Sequence, residues 1–394
     1  MKILYLHQYF MTNRSAGGTR SFEIIKYLTE KGHNVELITG LSADDKHPIK
    51  NLTIHSTDTE YSNSMSYTRR LLSFMHFIIK SIKIGIRIKE FDIVFATSTP
   101  LTIAIPAIII SRWRRRPFVF EVRDVWPDIP IGLGILTNPL LVIIARLTEH
   151  IVYGKASHII ALSTGMRENI IGKGVPGSKI SVVTNMSNID LFSEAESIRQ
   201  RIDEELSTAG KTICIYAGTL GYANNVDYIL ESAKKSAELG SSVHYIIAGE
   251  GRQRPELTAK AQRENIENVT FIPSIAKEDV VSYIKSSDIG LSVFLNNSVL
   301  FDNSANKFFD YLAAGKPVLI NYGGWQNDVI ENALCGYICD GDNPADMAER
   351  IDYLSSNPDL IEEMSQRSLR LGKERFSRNN AVRHIESILR RAID

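Results

Sequence analysis

Short apolar runs of strand length recur along this chain, each followed by a segment long enough for a helix, and the alternation occurs in two successive series. This pattern restricts the fold to parallel sheets with helices on both faces, because a parallel crossover needs a dozen or more residues and buries its strands on both sides. The first series runs through Lys2 to Tyr9, Asn34 to Thr39, Asp92 to Ala96, Pro117 to Phe120, Ala156 to Leu162 and Lys179 to Val183. A helix over Thr19 to Lys31 fits between the first two runs, with Gly32 as its C-cap. The second series opens on Thr212 to Tyr216 and continues through His244 to Ala248, Val269 to Phe271, Ile289 to Val293, Pro317 to Ile320 and Gly336 to Cys339. Beyond Cys339 the pattern is helical, near 343–356, then Pro358 to Arg375 and Ser377 to Arg391.

A polar, irregular stretch from about Asn185 to Gly210 separates the series and reads as a linker. The expected units are residues 1–190 and 200–376, with the terminal helix 377–394 packing back on the first; 394 residues exceed what one core usually serves. Two doubly wound domains joined this way turn their carboxyl strand ends toward a shared cleft, where such sheets bind ligands.

Composition excludes several classes of function. A formal net charge of zero gives no whole-protein attraction to nucleic acid, and the basic segments lack interleaved aromatic recognition motifs. The three cysteines, Cys214, Cys335 and Cys339, cannot form a disulfide framework and have no neighbouring ligands for zinc, so they read as structural residues in a reducing compartment. The first residues lack a signal-peptide layout, and the apolar run Ile103 to Ile110 is too short to cross a bilayer. A cytoplasmic protein is expected, with no metal and no cofactor.

Three segments carry candidate chemistry. Asn13 to Arg20 follows the first strand, and its Gly17 and Gly18 at a helix start allow backbone N–H groups to approach an anion; a flexible glycine turn is the other reading. Asp302 to Val318 sets Lys307 between Asp302 and Asp310, a trio able to meet hydroxyls and phosphate, although a capped surface helix fits the residues as well. Phe118 to Asp128 puts Glu121, Arg123, Asp124, Trp126 and Asp128 at a strand's carboxyl end, as an active-site wall or a solvated loop.

Taken in order, these segments resemble family 4 glycosyltransferases over nearly the whole chain. The likeness is closest to bacterial members that build O-antigen and capsule, especially L-fucosamine transferases. It rests on Ile3 to Phe10 followed by Gly17-Gly18-Thr19-Arg20, on Arg123 to Pro127, and on Ala161 to Met166. In the second half it rests on Gly218-Thr219-Leu220-Gly221, Gly249-Glu250-Gly251 and Lys307 to Val318. The resemblance implies the GT-B fold, two Rossmann-like α/β domains facing a cleft, and a metal-independent enzyme that retains anomeric configuration. It further implies a nucleotide-sugar donor, tilted toward UDP and an N-acetylated deoxyhexosamine such as FucNAc, and a glycan acceptor linked to a polyprenyl diphosphate. By the same resemblance Asp302 contacts the transferred sugar, Asp310 the ribose and Glu250 the base or ribose. Gly17 and Gly18 face the diphosphate and Lys307 neutralises it; Thr219 and Asn306 belong to the donor segments, and Asp124 is the candidate for an acceptor or sugar contact. This chain departs from the family in two places. Asp302 and Asp310 stand where two glutamates are usual, and Thr219 and Asn225 where a basic pair is usual. The diphosphate is then expected to lean also on Arg252 or Arg254.

From Tyr61 through Lys89 no acidic residue occurs, while Arg69, Arg70, Lys80, Lys83 and Arg87 are basic. His76, Lys80, Lys83 and Arg87 form one helical stripe, which reads either as a surface attracted to anionic lipid or as the solvated face of an ordinary amphipathic helix. Arg112 to Arg116, with Trp113, adds a second basic cluster. Peripheral attachment to the inner face of the plasma membrane is the expectation. Two other functions stay open: a nucleotide-sugar 2-epimerase, which needs no acceptor, and a non-catalytic nucleotide-sugar-binding partner.

Overall fold

The computed structural model of the protein describes residues 1–15, 17–41, 49–60, 65 and 67–394; Ala16 of the glycine loop, and 61–64 and 66 of the basic segment, lie outside the described residues. Among the described residues thirteen strands form two sheets. The first holds β1 Lys2–Leu6, β2 Asn34–Thr39, β3 Leu52–Ser56, β4 Ile93–Thr97, β5 Phe118–Val122, β6 His158–Ala161 and β7 Ile180–Val182. The second holds β8 Thr212–Ala217, β9 Val243–Ala248, β10 Val269–Ile272, β11 Ile289–Ser292, β12 Val318–Ile320 and β13 Gly336–Ile338. The helices of the first half are α1 Arg20–Glu30, α2 Tyr67–Arg87, α3 Ala104–Arg114, α4 Asp128–Gly132, α5 Pro139–Lys155 and α6 Thr164–Gly172, and α7 Ile189–Glu194 and α8 Arg199–Leu206 follow. Those of the second half are α9 Asp227–Glu238, α10 Arg254–Arg263, α11 Lys277–Ser286, α12 Asn306–Ala313, α13 Trp325–Ala333, α14 Pro344–Ser355, α15 Pro358–Glu374 and α16 Arg378–Ile393.

Both sheets are wholly parallel, in the orders β3-β2-β1-β4-β5-β6-β7 and β10-β9-β8-β11-β12-β13. Each order reverses beside its first strand, β1 or β8, and that reversal opens a crevice at the carboxyl strand ends. The central strands β4 and β5, apolar but for Thr97 and Glu121, are buried along their whole length. The strand missed in sequence is β3, Leu-Thr-Ile-His-Ser, an edge strand whose mixed residues leave it half-exposed. The linker expected to be irregular instead carries α7 and α8, which bury Phe192 and Ile202 against the second sheet's core.

Helices α2, α3, α5 and α6 cover one face of the first sheet. The other face is covered by α1 and by the last helix: Val382, Ile385, Ile388 and Leu389 of α16 pack with Ile3, Tyr5, Ile24 and Leu28. The chain therefore passes between the sheets twice, and the passages touch. The Ser187 amide donates to Phe376 O at 2.7 Å, and the Arg378 amide to Ser187 O at 3.0 Å.

A buried ion pair ties α1 to the first sheet. Arg20, at the start of α1, donates through Nε and Nη2 to Glu121 Oε1 at 3.0 and 2.8 Å, with both side chains 1% exposed or less. Its remaining donors reach Thr184 O at 2.6 Å and Val183 O at 3.0 Å. The other Glu121 oxygen accepts from Thr97 Oγ1 at 3.0 Å. Removing either partner would strand the other charge in a low-dielectric interior. We predict that Arg20→Met costs about 3–5 kcal/mol in urea unfolding; a loss under about 1 kcal/mol, the scale of an exposed pair, would contradict this assignment.

Candidate active site

The cleft is walled on the second domain's side by two loops packed backbone to backbone. The Gly218 amide donates to Ala248 O at 2.9 Å, and Leu220 N donates to Glu250 O at 2.9 Å. A Cβ at Gly249, where φ is +152°, would overlap the Gly218 carbonyl oxygen, and one at Gly251 would overlap Leu220 O. Glycine is needed at both positions because no side chain fits between the strands' ends.

Lys307, in the first turn of α12, enters the cleft between these loops and the aromatic rings of Tyr216 and Phe294. Its Nζ lies 4.5 and 4.7 Å from those ring centroids and donates to Tyr216 Oη at 3.3 Å. The side chain is 7% exposed and forms no ion pair among the described residues. Burial pushes its pKa down to about 7, since an ammonium taken from water without a carboxylate gives up its proton readily. Gly218 makes room for it: a Cβ there would lie 2.9 Å from Lys307 Cε.

One turn along α12, Asp310 pairs with Lys277, the first residue of α11. The same helix start reaches across the cleft, with Lys277 N donating to Ser15 O at 3.3 Å and Glu278 N to Asn13 O at 3.2 Å. Gly18 on the opposing loop faces Asn306; a Cβ there would lie 2.7 Å from Asn306 Nδ2 and 3.4 Å from Arg123 Nη2. Gly17, Gly18, Gly218, Thr219, Glu250, Lys277, Phe294, Asn306, Lys307 and Asp310 line a common cavity of about 360 Å³. Glycine amides, two cations and aromatic walls can receive an anionic ligand with a flat apolar portion.

The first domain's side adds a neutral histidine and two crowded carboxyls. His7, just past β1, is buried with no hydrogen-bond partner on Nδ1, and burial together with the Arg123 charge pushes its pKa down to about 3. Asp124 accepts from Thr99 Oγ1 at 3.4 Å, and loss of solvent raises its pKa against the opposing pull of Arg123. Asp302 crosses from the second domain and lies against Gly165 in the first turn of α6, where a Cβ would overlap its carboxylate. Its carbonyl oxygen accepts from Ser163 Oγ at 2.7 Å, and burial raises its carboxyl pKa.

Residues 17–191 match the family model Glycosyltransferase Family 4, and residues 198–370 match Glycosyl transferases group 1. Each half of the chain therefore matches a glycosyltransferase family domain, and the two facing Rossmann-like domains form the GT-B fold. Among curated relatives, the alpha-D-kanosaminyltransferase of Streptomyces kanamyceticus is 22% identical over 63% of this chain, which spans 64% of that protein, a little under two thirds. Spore coat protein SA of Bacillus subtilis is 23% identical over 62% of this chain and 68% of its own length. Similar solved structures include Anabaena Alr3699/HepE in complex with UDP-glucose, with a TM-score of 0.76, 18% identity and 99% coverage of both chains. The sucrose-phosphate synthase of Thermosynechococcus elongatus has a TM-score of 0.79 at 11% identity, over 99% of this chain and 98% of that one.

The cavity brings together Gly17, Gly18, Thr219, Glu250, Asn306, Lys307 and Asp310 from the sequence-derived set. Asp124 and Asp302 are absent from its lining. Arg254 is absent too: its guanidinium holds Gly249 O at 2.6 Å and Ile272 O at 2.9 Å and pairs with Glu250 at 2.9 Å, so it braces the loop from behind. Arg20 of the glycine motif points inward to Glu121. Sequence reasoning missed Lys277, the second cation of the cavity; its only signal is a position at a helix start shortly after β10, like that of Gly17 and Gly18 before α1. On α2, Arg69, Lys80, Lys83 and Arg87 are exposed, while the partly buried Arg70 donates Nε to Met65 O at 3.1 Å. No described helix is long and apolar enough to cross a membrane.

The lysine's environment makes a stability prediction. Unfolded, Lys307 holds its proton to pH 10.5; folded, it holds it to about 7. Between these values the unfolded chain binds the extra proton, so stability rises with pH across that window, and below pH 7 the full cost of the buried charge is present. Lys307→Met is therefore expected to raise the unfolding midpoint of the ligand-free protein at pH 7, a gain that shrinks toward pH 10. A lower midpoint at pH 7 by scanning calorimetry would mean that the ammonium is already compensated.

Proposed function

We propose that this glycosyltransferase moves a sugar, with retention of anomeric configuration, from a UDP-sugar to a glycan borne on a polyprenyl diphosphate. The sugar is read as an N-acetylated deoxyhexosamine such as FucNAc, and the product as part of an O-antigen or capsule polysaccharide. The observation that carries the donor reading is the uncompensated buried Lys307 at the end of a cavity rich in glycine amides. A diphosphate would supply the missing anion, recharge the lysine and accept the Gly17, Gly18 and Asn306 N–H groups. Thr219 and Glu250 then face the nucleoside. Asp310 takes a ribose hydroxyl while its pairing with Lys277 fixes its direction. Asp302 receives the transferred sugar and Asp124 the acceptor.

Several neighbours support this reading. One related structure is named as a complex with UDP-glucose, and another, WaaG, as a glycosyltransferase involved in lipopolysaccharide biosynthesis. In the mechanism proposed, the protein positions the acceptor hydroxyl on the face from which diphosphate departs. Donor phosphate takes the hydroxyl proton, while Lys307 and the loop amides stabilise the leaving charge. The exposed basic stripe of α2, at Arg69, Lys80, Lys83 and Arg87 beside Arg70, is read as a contact that draws the enzyme to the inner face of the plasma membrane.

Calorimetric titration tests the donor site. Among UDP, GDP, ADP and dTDP, UDP is expected to bind, with or without EDTA. Binding should take up a proton at pH 8 as Lys307 is recharged, and affinity should fall as pH rises above 7. Lys307→Met should weaken UDP about 10–100-fold, the worth of a lost charge-assisted contact. Equal UDP affinity in the variant would remove Lys307 from the diphosphate site. Consumption of donor without any acceptor, yielding an isomerised sugar, would instead identify an epimerase.

A further inference from the structure

Helix α5 packs Val152 and Tyr153 on the sheet yet also turns an apolar row outward. Leu140, Leu141, Ile143, Ile144, Leu147 and Ile151 stand 39–65% exposed along one side, recurring at helical spacing, whereas Glu149 of the same helix is 3% exposed and pairs with Lys173. Of the twenty large apolar side chains exposed among the described residues, thirteen fall between Leu71 and Ile151. They lie on α2, α3 and α5 and the segment leading into α5. Helix α3 touches both α2 and α5, and all three cover the same face of the first sheet. Trp113, 67% exposed at the end of α3, and Leu72 and Met75 on α2 extend the apolar surface. Exposed apolar side chains gathered on neighbouring helices in this way mark an interface rather than a free surface.

The charge around it selects the occupant. Neither α2 nor α3 contains a carboxylate, and Lys80, Lys83, Arg87, Arg112, Arg115 and Arg116 are exposed along their rims. On α5 itself, the exposed Arg146 and Lys155 flank the apolar row. Apolar side chains bordered by cations match the acyl boundary and phosphate layer of an anionic bilayer. A second copy of this chain would bring its own basic rim against the first. The face also adjoins the cleft: α4 follows directly on Arg123 to Pro127, packs against the second domain around Val299, and leads into α5 through residues 133–138.

We propose that the outer face of α5 inserts into the headgroup–acyl boundary of an anionic membrane, with the basic residues of α2 and α3 on the surrounding phosphates. Membrane contact is thus carried chiefly by apolar insertion, with the charge stripe of α2 in a supporting part. The proposal rests on the reading of a lipid-borne acceptor, since this orientation sets the cleft beside the surface where such a lipid resides. Its test is independent of the donor site.

Flotation of the full chain with phosphatidylcholine vesicles, with and without phosphatidylglycerol, compares the wild type, Ile143→Gln/Ile144→Gln/Leu147→Gln, and Lys80→Gln/Lys83→Gln/Arg87→Gln. The wild type should float with the anionic vesicles. The α5 variant should lose about tenfold or more of its partition while keeping its thermal midpoint and its UDP affinity. The α2 variant should keep measurable binding with a weaker dependence on salt. Wild-type binding by the α5 variant would overturn the proposal. So would a wild-type dimer that floats with neither vesicle and becomes a monomer in the α5 variant. Loss of UDP binding in all three proteins, with flotation as expected, would sink the donor reading alone.

Discussion

The buried pair of Arg20 and Glu121 determines how the first domain can present a site. Glu121 is the penultimate residue of β5 and Arg20 the first residue of α1, so the pair fixes the start of the helix against the end of the strand. Two residues upstream of Arg20 is Gly18; two residues beyond Glu121 is Arg123, whose guanidinium reaches toward Gly18. Arg20 also binds the carbonyls of Val183 and Thr184, where the chain leaves the first sheet. One guanidinium thereby joins the glycine loop, the strand end beneath Arg123 and Asp124, and the first passage between domains. Such a charge is tolerable in the interior because Glu121 and carbonyl oxygens satisfy its donors.

The second domain handles its buried cation in the opposite way. Lys307 has a phenol oxygen and two aromatic faces but no carboxylate, while Lys277 nearby is neutralised by Asp310. The cavity thus has one paired and one unpaired lysine. A ligand bearing two adjacent negative charges gains most from the unpaired one, because no existing ion pair must first be broken. The close glycine contacts between the loops at Gly218 and Gly249 make the pocket floor from backbone, which keeps it rigid and free of competing side chains.

Most of the architecture was legible because parallel sheets impose long apolar runs and regular crossovers. Twelve of the thirteen strands follow from that pattern. The edge strand β3 escaped because its face is half-solvated and its residues alternate weakly, and the linker helices escaped because their few buried side chains, Phe192 and Ile202, sit in a polar context. Of the residues that line the cavity, those on the glycine loops and at the start of α12 were singled out in the sequence through the family resemblance, since their types alone fit a glycine turn or a capped helix as well. Direction could not be read. Arg20 and Arg254 belong to segments that reach the cleft, yet both turn away to bind carbonyls, and only the folded backbone determines which carbonyls lie within reach. The sequence reading placed membrane contact on the charges of α2, whereas the outward apolar row of α5 depends on which helix side meets the sheet, and periodicity alone does not say so.

Lys307 and α5 break the same rule in opposite senses. One is a charge removed from water without a counter-ion; the other is an apolar row left in water without a cover. Elsewhere in the described core, apolar side chains pack on the sheets, and the buried charges of Arg20 and Glu121 are paired with each other. Each exception raises the free energy of the isolated chain, and each would be relieved by a component of a different phase: an anion in the cleft, an acyl layer at the surface. Their separation also carries weight. The cavity around Lys307 is walled mainly by the second domain, while the apolar face belongs wholly to the first. On the proposed readings, a donor entering from solution and an acceptor arriving from a membrane would meet the protein on different domains, with the cleft between the sheets as the place the two can share.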